Sequence, residues 1–207
     1  MVTIQNIGFV RSMACIQLDD GRKIWLTRSD LLESGWREGA SVDREDFERF
    51  VSLRQYPRAL NQAVAMLARR PCSKGEISQN LRCHRYADDV IGLVICKLEK
   101  ENLLNDQEFS ELWIQQRSRK YGSRRIRQEL RTKGVPESTA EEALSSLSEE
   151  EMLESATVLA AKAWSKAKPG EDLRKTRQRI IASLVRKGFD WDLAKQASDT
   201  AESEVSF

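Results

Sequence analysis

The sequence predicts a mostly α-helical protein, in which three tandem three-helix repeats form an elongated, curved array behind a small N-terminal extension of a β-hairpin plus helix. Two observations lead to this prediction. A turn signal separates two apolar segments near the N-terminus, and helical patterns with recurring stop signals repeat roughly every 50 residues over the remaining chain. The predicted divisions are residues 1–56 for the extension and 57–106, 107–151 and 152–207 for the repeats.

The N-terminal extension is predicted from its turn and cap signals. In "LDDGRKIWL" the pair Asp20-Gly21 separates two apolar segments, which indicates two strands joined in a hairpin. In "TRSDLLESGW" Ser29 is the predicted helix cap and Gly35 the stop, and "SVDREDFERFVSLRQY" predicts a further helix that ends before Pro57. An isolated hairpin is marginal in water, so we expect it to pack on a neighbouring helix.

The repeats are predicted from three segments that begin at Glu76, Arg125 and Arg179. When "EISQNLRCHRYADDVIGLVICKL", "RIRQELRTKGVPESTAEEALSSL" and "RIIASLVRKGFDWDLAKQASDTA" are aligned, their apolar positions fall into columns. The columns are Ile77, Ile126 and Ile180; Leu81, Leu130 and Leu184; and Tyr86, Val135 and Phe189, which follow a stop at Arg85, Gly134 and Gly188. Because Arg85 replaces a glycine, we expect a different turn geometry in the first repeat.

Each repeat is predicted to contain three helices that cannot bury their apolar faces alone. In the first repeat, Leu60, Val64 and Leu67 are predicted on one face of the first helix, and Ser73 with Glu76 is predicted to form a capping box.

The second and third repeats show the same signals. In the second, Ser123 is the predicted cap, Gly134 the stop, and Pro136 fits the first turn of the last helix. In the third, the pattern runs from Met152 through Trp164, breaks at Pro169-Gly170, resumes to Lys187 and restarts after Asp190.

The composition limits the function classes. The chain has 207 residues, and 34 Lys and Arg against 32 Asp and Glu leave a net charge of only +2. Affinity for nucleic acid therefore has to come from local clustering of charge. The sequence has no apolar run of about eighteen residues and starts without a secretory pattern, so we expect a cytoplasmic protein that does not enter a membrane.

Cysteine and histidine give no metal or cofactor prediction. The four cysteines, Cys15, Cys72, Cys83 and Cys96, form no CxxC pair and are interpreted as buried thiols. His84 follows Cys83, but without a second His the pair is interpreted as a helical His beside a packed thiol. The sequence also lacks GxxxxGK[ST] and GxSxG motifs, so no catalytic residue is predicted and an enzyme is not expected.

Positive charge is concentrated in the second repeat. Between Arg117 and Lys133 the only acidic residue is Glu129, and the remaining acidic residues of the repeat lie elsewhere in the sequence. A solvated helix face with an Arg125–Glu129 pair would explain this pattern, but its one-sidedness favours a contact surface. By helical geometry, at least two of Arg124, Arg125 and Arg127 should point away from the buried face. The predicted binding residues are Arg117, Arg119, Lys120, Arg124, Arg125, Arg127, Arg131 and Lys133, with Lys168, Arg174, Lys175 and Arg177 in the third repeat.

Aromatic residues near this charge have two interpretations. Tyr121 could stack on a nucleic-acid base, but packing at the helix junction with Trp113 is the preferred interpretation. Trp164 and Trp191 are likewise predicted to belong to the core.

The string "YGSRRIRQELRTKGV", with "NDQEFSELWIQQRSRK" before it and "PESTAEEAL" after it, resembles the middle repeat of the RecX family of recombination regulators. "SKGEISQNL" and "LVRKGFDWDLAKQ" are similar to the first and third repeats of the family, so the resemblance covers roughly residues 58–200.

The resemblance implies a non-enzymatic, monomeric regulator of DNA repair, recombination and the SOS response. Family members bind the RecA filament on single-stranded DNA, limit its extension, and depress ATP hydrolysis, strand exchange and co-protease activity. The alternative function is a stand-alone helical-repeat protein whose basic faces bind nucleic acid without a protein partner.

Overall fold

The fold was described from a computed structural model, which covers residues 1–167 and 171–205. The described chain contains ten helices and four strands. It forms two compact units, Met1–Asn105 and Asp106–Phe207. The mostly helical fold class predicted from the sequence is confirmed. No helix among the described residues is long and apolar enough to cross a membrane.

The first unit begins with a small antiparallel sheet. Its strands, in the order β3-β2-β1-β4, are β1 (Val2–Val10), β2 (Met13–Leu18), β3 (Lys23–Thr27) and β4 (Ser41–Val42). The predicted hairpin is the β2–β3 pair, with Gly21 at φ 83° in its turn. The prediction of two strands was wrong, because the chain also reverses after β1 at Arg11, which adopts φ 55° without a glycine to signal the turn.

Helix α1 (Arg28–Ser34) follows β3 directly. Its N-cap is Thr27 and not the predicted Ser29. The Thr27 hydroxyl accepts a hydrogen bond from the Asp30 amide at 3.1 Å, and the Asp30 carboxylate accepts one from the Thr27 amide at 3.2 Å. This reciprocal pair satisfies two backbone donors at once. Gly35 ends the helix at φ 68°, as predicted.

Helix α2 (Arg44–Leu67) continues through Pro57, where the sequence predicted two separate helices. Burial on both sides of the proline explains the difference, because packing overrides the local cost of proline. Phe47 and Val51 pack in the core of the sheet, whereas Ala59 and Ala63 pack in the core of the first repeat. The predicted border at residues 56 and 57 therefore lies within a continuous helix, and the four-part division stays a prediction.

The buried face of α2 in the first repeat also differs from the prediction. Ala59 and Ala63 are fully buried, whereas Val64 is 43% exposed and Leu60 and Leu67 are only partly buried. Small residues allow α2 to approach α4 (Asp88–Lys100) closely.

Gln55 of α2 connects the sheet to the first repeat. Its side-chain amide donates to the carbonyl of Trp25 at 2.7 Å and accepts from the amide of Ala87 at 2.7 Å. Gln55 is 2% exposed, so both bonds are shielded from water. As expected, the hairpin packs on a neighbouring helix.

The capping box of α3 (Lys74–Cys83) is confirmed. After α3 the chain turns through Arg85 at φ 67°, and the Tyr86 amide donates to the Leu81 carbonyl at 3.2 Å. Equivalent bonds follow Gly134, at φ 74°, and Gly188, at φ 92°. The expectation of a different geometry at Arg85 was therefore wrong.

A tertiary contact explains how an arginine adopts this conformation. The left-handed region costs an L-residue roughly 1–2 kcal/mol. The Arg85 guanidinium lies over the Trp25 ring at 3.8 Å from its centroid. Such a cation–π contact contributes about 0.5–2 kcal/mol, which offsets the cost of the turn.

The second unit contains two groups of three helices. These are α5 (Asp106–Arg117), α6 (Ser123–Thr132), α7 (Glu137–Leu144), α8 (Glu149–Trp164), α9 (Leu173–Arg186) and α10 (Trp191–Val205). The column residues Ile126, Leu130, Ile180 and Leu184 are at most 2% exposed, as the alignment predicted. Pro136 is the N-cap residue of α7, one position before the first turn. The predicted break at Pro169-Gly170 lies outside the described residues.

The cysteines differ from the prediction of buried thiols. Cys72 is buried and Cys15 half-buried, but Cys83 and Cys96 are exposed, because they lie on the outer faces of α3 and α4. The four cysteines, all of them described, form no disulfide.

Candidate functional site

The predicted basic residues of the second repeat lie on the C-terminal end of α5, the turn after it, and α6. We call these eight residues the basic surface: Arg117, Arg119, Lys120, Arg124, Arg125, Arg127, Arg131 and Lys133. Apolar residues of α6 fix its orientation, because Ile126 and Leu130 are fully buried in the core of the second repeat. Arg124 and Arg125 are exposed and Arg127 is half-buried, which fits the prediction that they point away from the core.

The start of α6 is held by backbone bonds to the third repeat. The predicted cap Ser123 is the first helical residue, and the N-cap is Gly122, which provides no side-chain cap. The Gly122 amide donates to the Lys187 carbonyl at 3.0 Å, and the Arg124 amide donates to the Gly188 carbonyl at 3.2 Å. A Cβ on Gly122 would lie 2.3 Å from the carbonyl group of Gly188, so this contact requires glycine.

Glu129 is the centre of a bonded group within the basic surface. Its carboxylate accepts two hydrogen bonds from the Arg117 guanidinium, at 2.8 and 2.7 Å, and one from Arg125 at 3.2 Å. The indole of Trp113 donates to the same carboxylate at 3.2 Å. The hydrogen bonds from Arg117 hold the pKa of Glu129 below its usual range, although partial burial opposes them. Arg117 is therefore primarily a structural cation.

Arg127 and Arg124 also have carboxylate partners. Arg127 hydrogen-bonds to Glu141 on α7, which lowers the pKa of Glu141 from its ordinary value. Arg124 lies 2.6 Å from the Asp190 carboxylate. The sequence placed the balancing acidic residues elsewhere, but the fold brings Glu141 and Asp190 beside α6. The predicted one-sided charge distribution is to this extent wrong.

Three cations of the basic surface have no ion-pair partner among the residues that the structure describes. Arg119, Lys120 and Arg131 are exposed and form no ion pair with another described residue. Lys133 lies over the Trp113 ring at 4.0 Å from its centroid. The charge that an external anion can reach is therefore concentrated on Arg119, Lys120 and Arg131.

Tyr121 lies among cations at the corner between α5 and α6. The Arg117 guanidinium is 4.5 Å from the centroid of its ring, and Arg125 and Lys187 are each 5.6 Å from it. The ring is half-buried and packs at the edge of the core beside Trp113, in agreement with the preferred interpretation. The contact with Lys187 of the third repeat was not predicted, since sequence spacing gives no signal for it.

The predicted cations of the third repeat differ in their environment. Arg174 and Lys175 are exposed at the start of α9 and form no ion pair with another described residue. Arg177 hydrogen-bonds to Glu202 and lies 3.4 Å from Asp199. Lys168 lies outside the described residues.

The two tryptophans of the third repeat have different environments. Trp164 is 6% exposed and its indole donates to the Ser198 carbonyl at 3.1 Å, which confirms it as a core residue. Trp191 is 56% exposed, so its predicted place in the core was wrong. It begins α10 on the outer side of the helix, with Lys195 over its ring.

His84 and the carboxylates do not form a metal site in the described part of the chain. His84 is the exposed C-cap residue of α3, and its Nδ1 atom lies 2.9 Å from the Asn80 carbonyl oxygen. The neighbouring Cys83 is exposed, which corrects its interpretation as a packed thiol. Among the described residues, no group of three or more His, Cys, Asp or Glu side chains is arranged to hold a metal ion.

Comparison with known proteins gives the same assignment of the second and third repeats as the geometry. Residues 105–144 match the family model of the second three-helix domain of RecX, and residues 149–197 match that of the third. In the solved structures, a crystal structure of regulatory protein RecX covers 96% of this chain and all of its own, with a TM-score of 0.65 and 22% identity, which supports the fold. A structure of RecX from Lactobacillus salivarius has the same TM-score with 25% identity, and covers 73% of this chain and 96% of its own.

Curated relatives extend the likeness to most of the chain. Regulatory protein RecX from Clostridioides difficile is 29% identical over 183 residues, which cover 87% of this chain and 85% of that protein. Regulatory protein RecX from Corynebacterium efficiens is 31% identical over 175 residues, or 78% of this chain and 80% of that protein. With these relatives and the repeat geometry in agreement, the chain belongs to the RecX family of regulatory proteins.

Proposed function

We propose that this protein is a negative regulator of homologous recombination and DNA repair that binds the RecA filament on single-stranded DNA. It limits filament extension and depresses the ATPase, strand-exchange and co-protease activities of the filament. It acts in the cytoplasm as a monomer, by binding and without catalysing a reaction. The observation that carries this proposal is family membership, with the matched second and third domains holding all the predicted binding residues that the structure describes.

The surface chemistry supports binding to an anionic partner. Arg119, Lys120 and Arg131 are exposed cations without acidic partners among the described residues, and Arg174 and Lys175 add two more on α9. A phosphate backbone or an acidic protein surface would bind such cations with little desolvation of existing ion pairs. Arg117, Arg125 and Arg127 instead hold the surface in shape through Glu129 and Glu141.

A second candidate function is a stand-alone nucleic-acid-binding protein. The observation that favours it is the half-buried Tyr121 ring beside Arg117 and Lys187, because aromatic rings with adjacent cations are common in single-strand binders. The near-neutral net charge of +2 favours the filament as partner, since it supplies little general attraction to DNA.

The test measures DNA-dependent ATP hydrolysis by RecA filaments. It is performed at a salt concentration at which the protein no longer binds bare single-stranded DNA. We expect ATP turnover to fall when the protein is added at a small fraction of the RecA concentration, because a bound regulator blocks growth of a filament. Unchanged ATP turnover at this salt concentration, with inhibition only at lower salt and with enough protein to cover the DNA, would contradict the proposal and support the second candidate.

A further inference from the structure

Strand β1 is paired along only part of its outer edge. On this edge β4 pairs with the first two residues of β1, and backbone bonds with residues 39 and 40 extend the pairing to Ile4. Farther along, the Ile7 amide donates to the Glu38 carboxylate at 2.8 Å, so a side chain takes the place of a strand there. The end of β1 continues beyond this bond and is paired with β2 alone.

The pairing of β1 shows which backbone groups face this outer edge. The Ile7 amide points to it, because it donates to Glu38. Backbone groups point alternately to the two sides of a strand, so Gly8 and Val10 face β2, with which they pair, and Phe9 faces the outer edge. Among the described residues, none forms a backbone hydrogen bond to Phe9 across this edge. The amide and carbonyl of Phe9 are therefore available to a further strand.

Apolar side chains lie on both faces of this open edge. Phe9 is 55% exposed and Val10 is 50% exposed, and successive side chains of a strand lie on opposite faces. A Cβ on Gly8 would meet no atom within 4 Å, so the face that Gly8 shares with Val10 is uncovered. Single exposed apolar residues are ordinary. Here two adjacent ones border unpaired backbone groups, which proteins usually protect with charge or proline.

Two cations lie near the open edge. The Arg28 guanidinium is 5.2 Å from the centroid of the Phe9 ring, and Arg11 follows β1 directly in the turn to β2. Both side chains are exposed, and neither forms an ion pair within the part of the chain that the structure describes. The open edge is therefore positively charged at the end where β1 turns into β2, whereas the Glu38 carboxylate marks its other end.

These three features together select an extended peptide as the occupant. Water satisfies free backbone groups, but it gives no reason for apolar side chains on both faces of the edge. A single nucleic-acid strand can stack on Phe9 and bind the two arginines. It has no alternating amide donors and carbonyl acceptors, so it would leave the backbone of Phe9 unpaired. A peptide strand supplies both the backbone pairing and the side chains.

We propose that the open edge of β1 binds an extended acidic segment of a protein partner, which adds antiparallel to the four-stranded sheet beside residues 7–10. Apolar side chains of that segment pack on Phe9 and Val10. Acidic residues at its N-terminal end lie against Arg11 and Arg28. This is recognition by strand addition, in which main-chain bonds give affinity and alternate side chains give specificity. The proposal does not depend on the function proposed above, since β1 lies outside the matched second and third domains.

The test uses the full chain and synthetic peptides, with binding measured by fluorescence anisotropy. The probe is a fluorescent peptide of about eight residues, with glutamates in its N-terminal half and β-branched apolar residues in its C-terminal half. A second peptide is N-methylated along the apolar half. It should bind more weakly by about tenfold or more, because it cannot donate the inter-strand hydrogen bonds. A third peptide has lysines in place of the glutamates and should bind more weakly by about threefold or more.

Two variants at one position separate the backbone from the side chain. Phe9→Val keeps the amide, whereas Phe9→Pro removes it at an edge position where proline is tolerated. Phe9→Pro should therefore bind the acidic peptide about tenfold more weakly than Phe9→Val. Circular dichroism melts check that each variant is folded. If Phe9→Pro does not fold, the N-methylated peptide tests the same hydrogen bonds on the unsubstituted protein.

A second pair of variants tests the charge. Arg28→Glu should weaken binding of the acidic peptide by about threefold or more, because an attraction becomes a repulsion. The matched control is Arg69→Glu, at an exposed cation after the end of α2 that forms no ion pair with another residue of the described ranges. It should bind the acidic peptide as the unsubstituted protein does.

Three outcomes would overturn the proposal. In the first, the acidic peptide shows no saturable binding, or the N-methylated peptide binds equally well, which would show that the edge does not bind a strand. In the second, sedimentation shows a dimer that Phe9→Pro dissociates, which would assign the edge to a second copy of the chain. In the third, Phe9→Pro and Arg28→Glu but not Arg69→Glu lose binding of a single-stranded oligonucleotide with which the peptide does not compete, which would assign the edge to nucleic acid.

Discussion

Helices α6 and α9 hold corresponding positions in consecutive repeats, but their positive charge is neutralised in different ways. In α6 a carboxylate of the helix itself, Glu129, bonds to two arginines. The corresponding position in α9 is Ser183, and there Arg177 and Arg179 pair with carboxylates outside the helix. Both helices bury an Ile and a Leu at corresponding positions. Their buried faces are therefore alike, and the difference lies on their exposed faces.

This difference shows that the number of cations in a segment does not predict how many of them can bind an external anion. In α6 the sequence shows one acidic residue, yet the fold supplies two more partners, Glu141 and Asp190. In α9 the exposed Arg174 and Lys175 form no ion pair with another described residue, although the sequence around them is richer in acidic residues. The neighbours in three dimensions decide which cations can bind an external anion.

The largest expected effect is on the free energy of unfolding, and it tests the buried leucine that α6 and α9 have in common. Leu130→Ala and Leu184→Ala each remove a buried side chain and should lower the free energy of unfolding by roughly 2–5 kcal/mol. Urea denaturation of each variant measures the change. A loss below about 0.5 kcal/mol in either variant would contradict the repeat alignment, because it would place that leucine outside the core.

The next effect tests the junction between the two helices. Gly122→Ala places a Cβ 2.3 Å from the backbone of Gly188 and should destabilise the protein by roughly 1–3 kcal/mol, as overpacking does. The matched control is Gly92→Ala in α4, where a Cβ would meet no atom within 4 Å. That control should leave stability unchanged or raise it by up to about 1 kcal/mol through helix propensity. Equal melting temperatures for the two variants would show that the glycine contact is not required.

A smaller effect tests the carboxylate that distinguishes α6 from α9. Glu129→Gln should cost about 1 kcal/mol at neutral pH, because the partly exposed Arg117 loses its charged partner. The pKa of Glu129 is lowered in the folded state, so its contribution is fully present above the unfolded pKa of about 4.3 and is lost as the pH falls below it. Urea midpoints of the two proteins should therefore differ at pH 7 and converge below pH 4.3. A constant difference would contradict this role for Glu129.

The smallest expected effect on stability comes from replacing the cations of the basic surface that form no ion pair with another described residue. A triple variant in which Glu replaces Arg119, Lys120 and Arg131 should change the free energy of unfolding by no more than about 0.5 kcal/mol. A second triple variant, in which Glu replaces Arg124, Arg125 and Arg127, should have a lower melting temperature than the first, because each new Glu lies beside an existing carboxylate. The outward orientation that the sequence predicted for these arginines therefore does not make their charge reversible without cost.

The same pair of triple variants tests binding. If phosphates are the target, loss of the unpaired set should reduce the slope of log affinity against log salt for single-stranded DNA by roughly 2 units. If an acidic protein surface is the target, DNA binding should change little and filament inhibition should fall. If the variant at Arg119, Lys120 and Arg131 is folded and keeps both DNA binding and filament inhibition, the basic surface is not the binding surface. The cations of α9 would then be the remaining candidate.

Local sequence patterns were sufficient to predict much of the fold. The hairpin at Gly21, the capping box at Ser73 and Glu76, and the stop at Gly35 depend on residues a few positions apart, and all three are confirmed. The buried columns were predictable for the same reason, since helical periodicity identifies one face of each short helix. Several of the predictions that failed involve contacts between distant residues.

Three of these failures have the same cause. Pro57 lies inside a continuous helix because cores on both sides hold α2 together. Arg85 adopts the backbone conformation of a glycine because its side chain stacks on Trp25, which lies on β3. Trp191 is exposed because α10 directs other residues into the core, although Trp is usually buried.

By itself, the sequence determined the helical class, the repeat period, the turns that glycine signals and the presence of concentrated positive charge. These properties depend on backbone preferences and on periodicity, which act over a few residues. Only the tertiary structure decided which cations are paired, which glycine is required at the junction of α6 and α9, and that Trp191 stays exposed. Ion pairs, close backbone contacts and burial depend on distances between residues that are remote in the chain, and those distances exist only after packing.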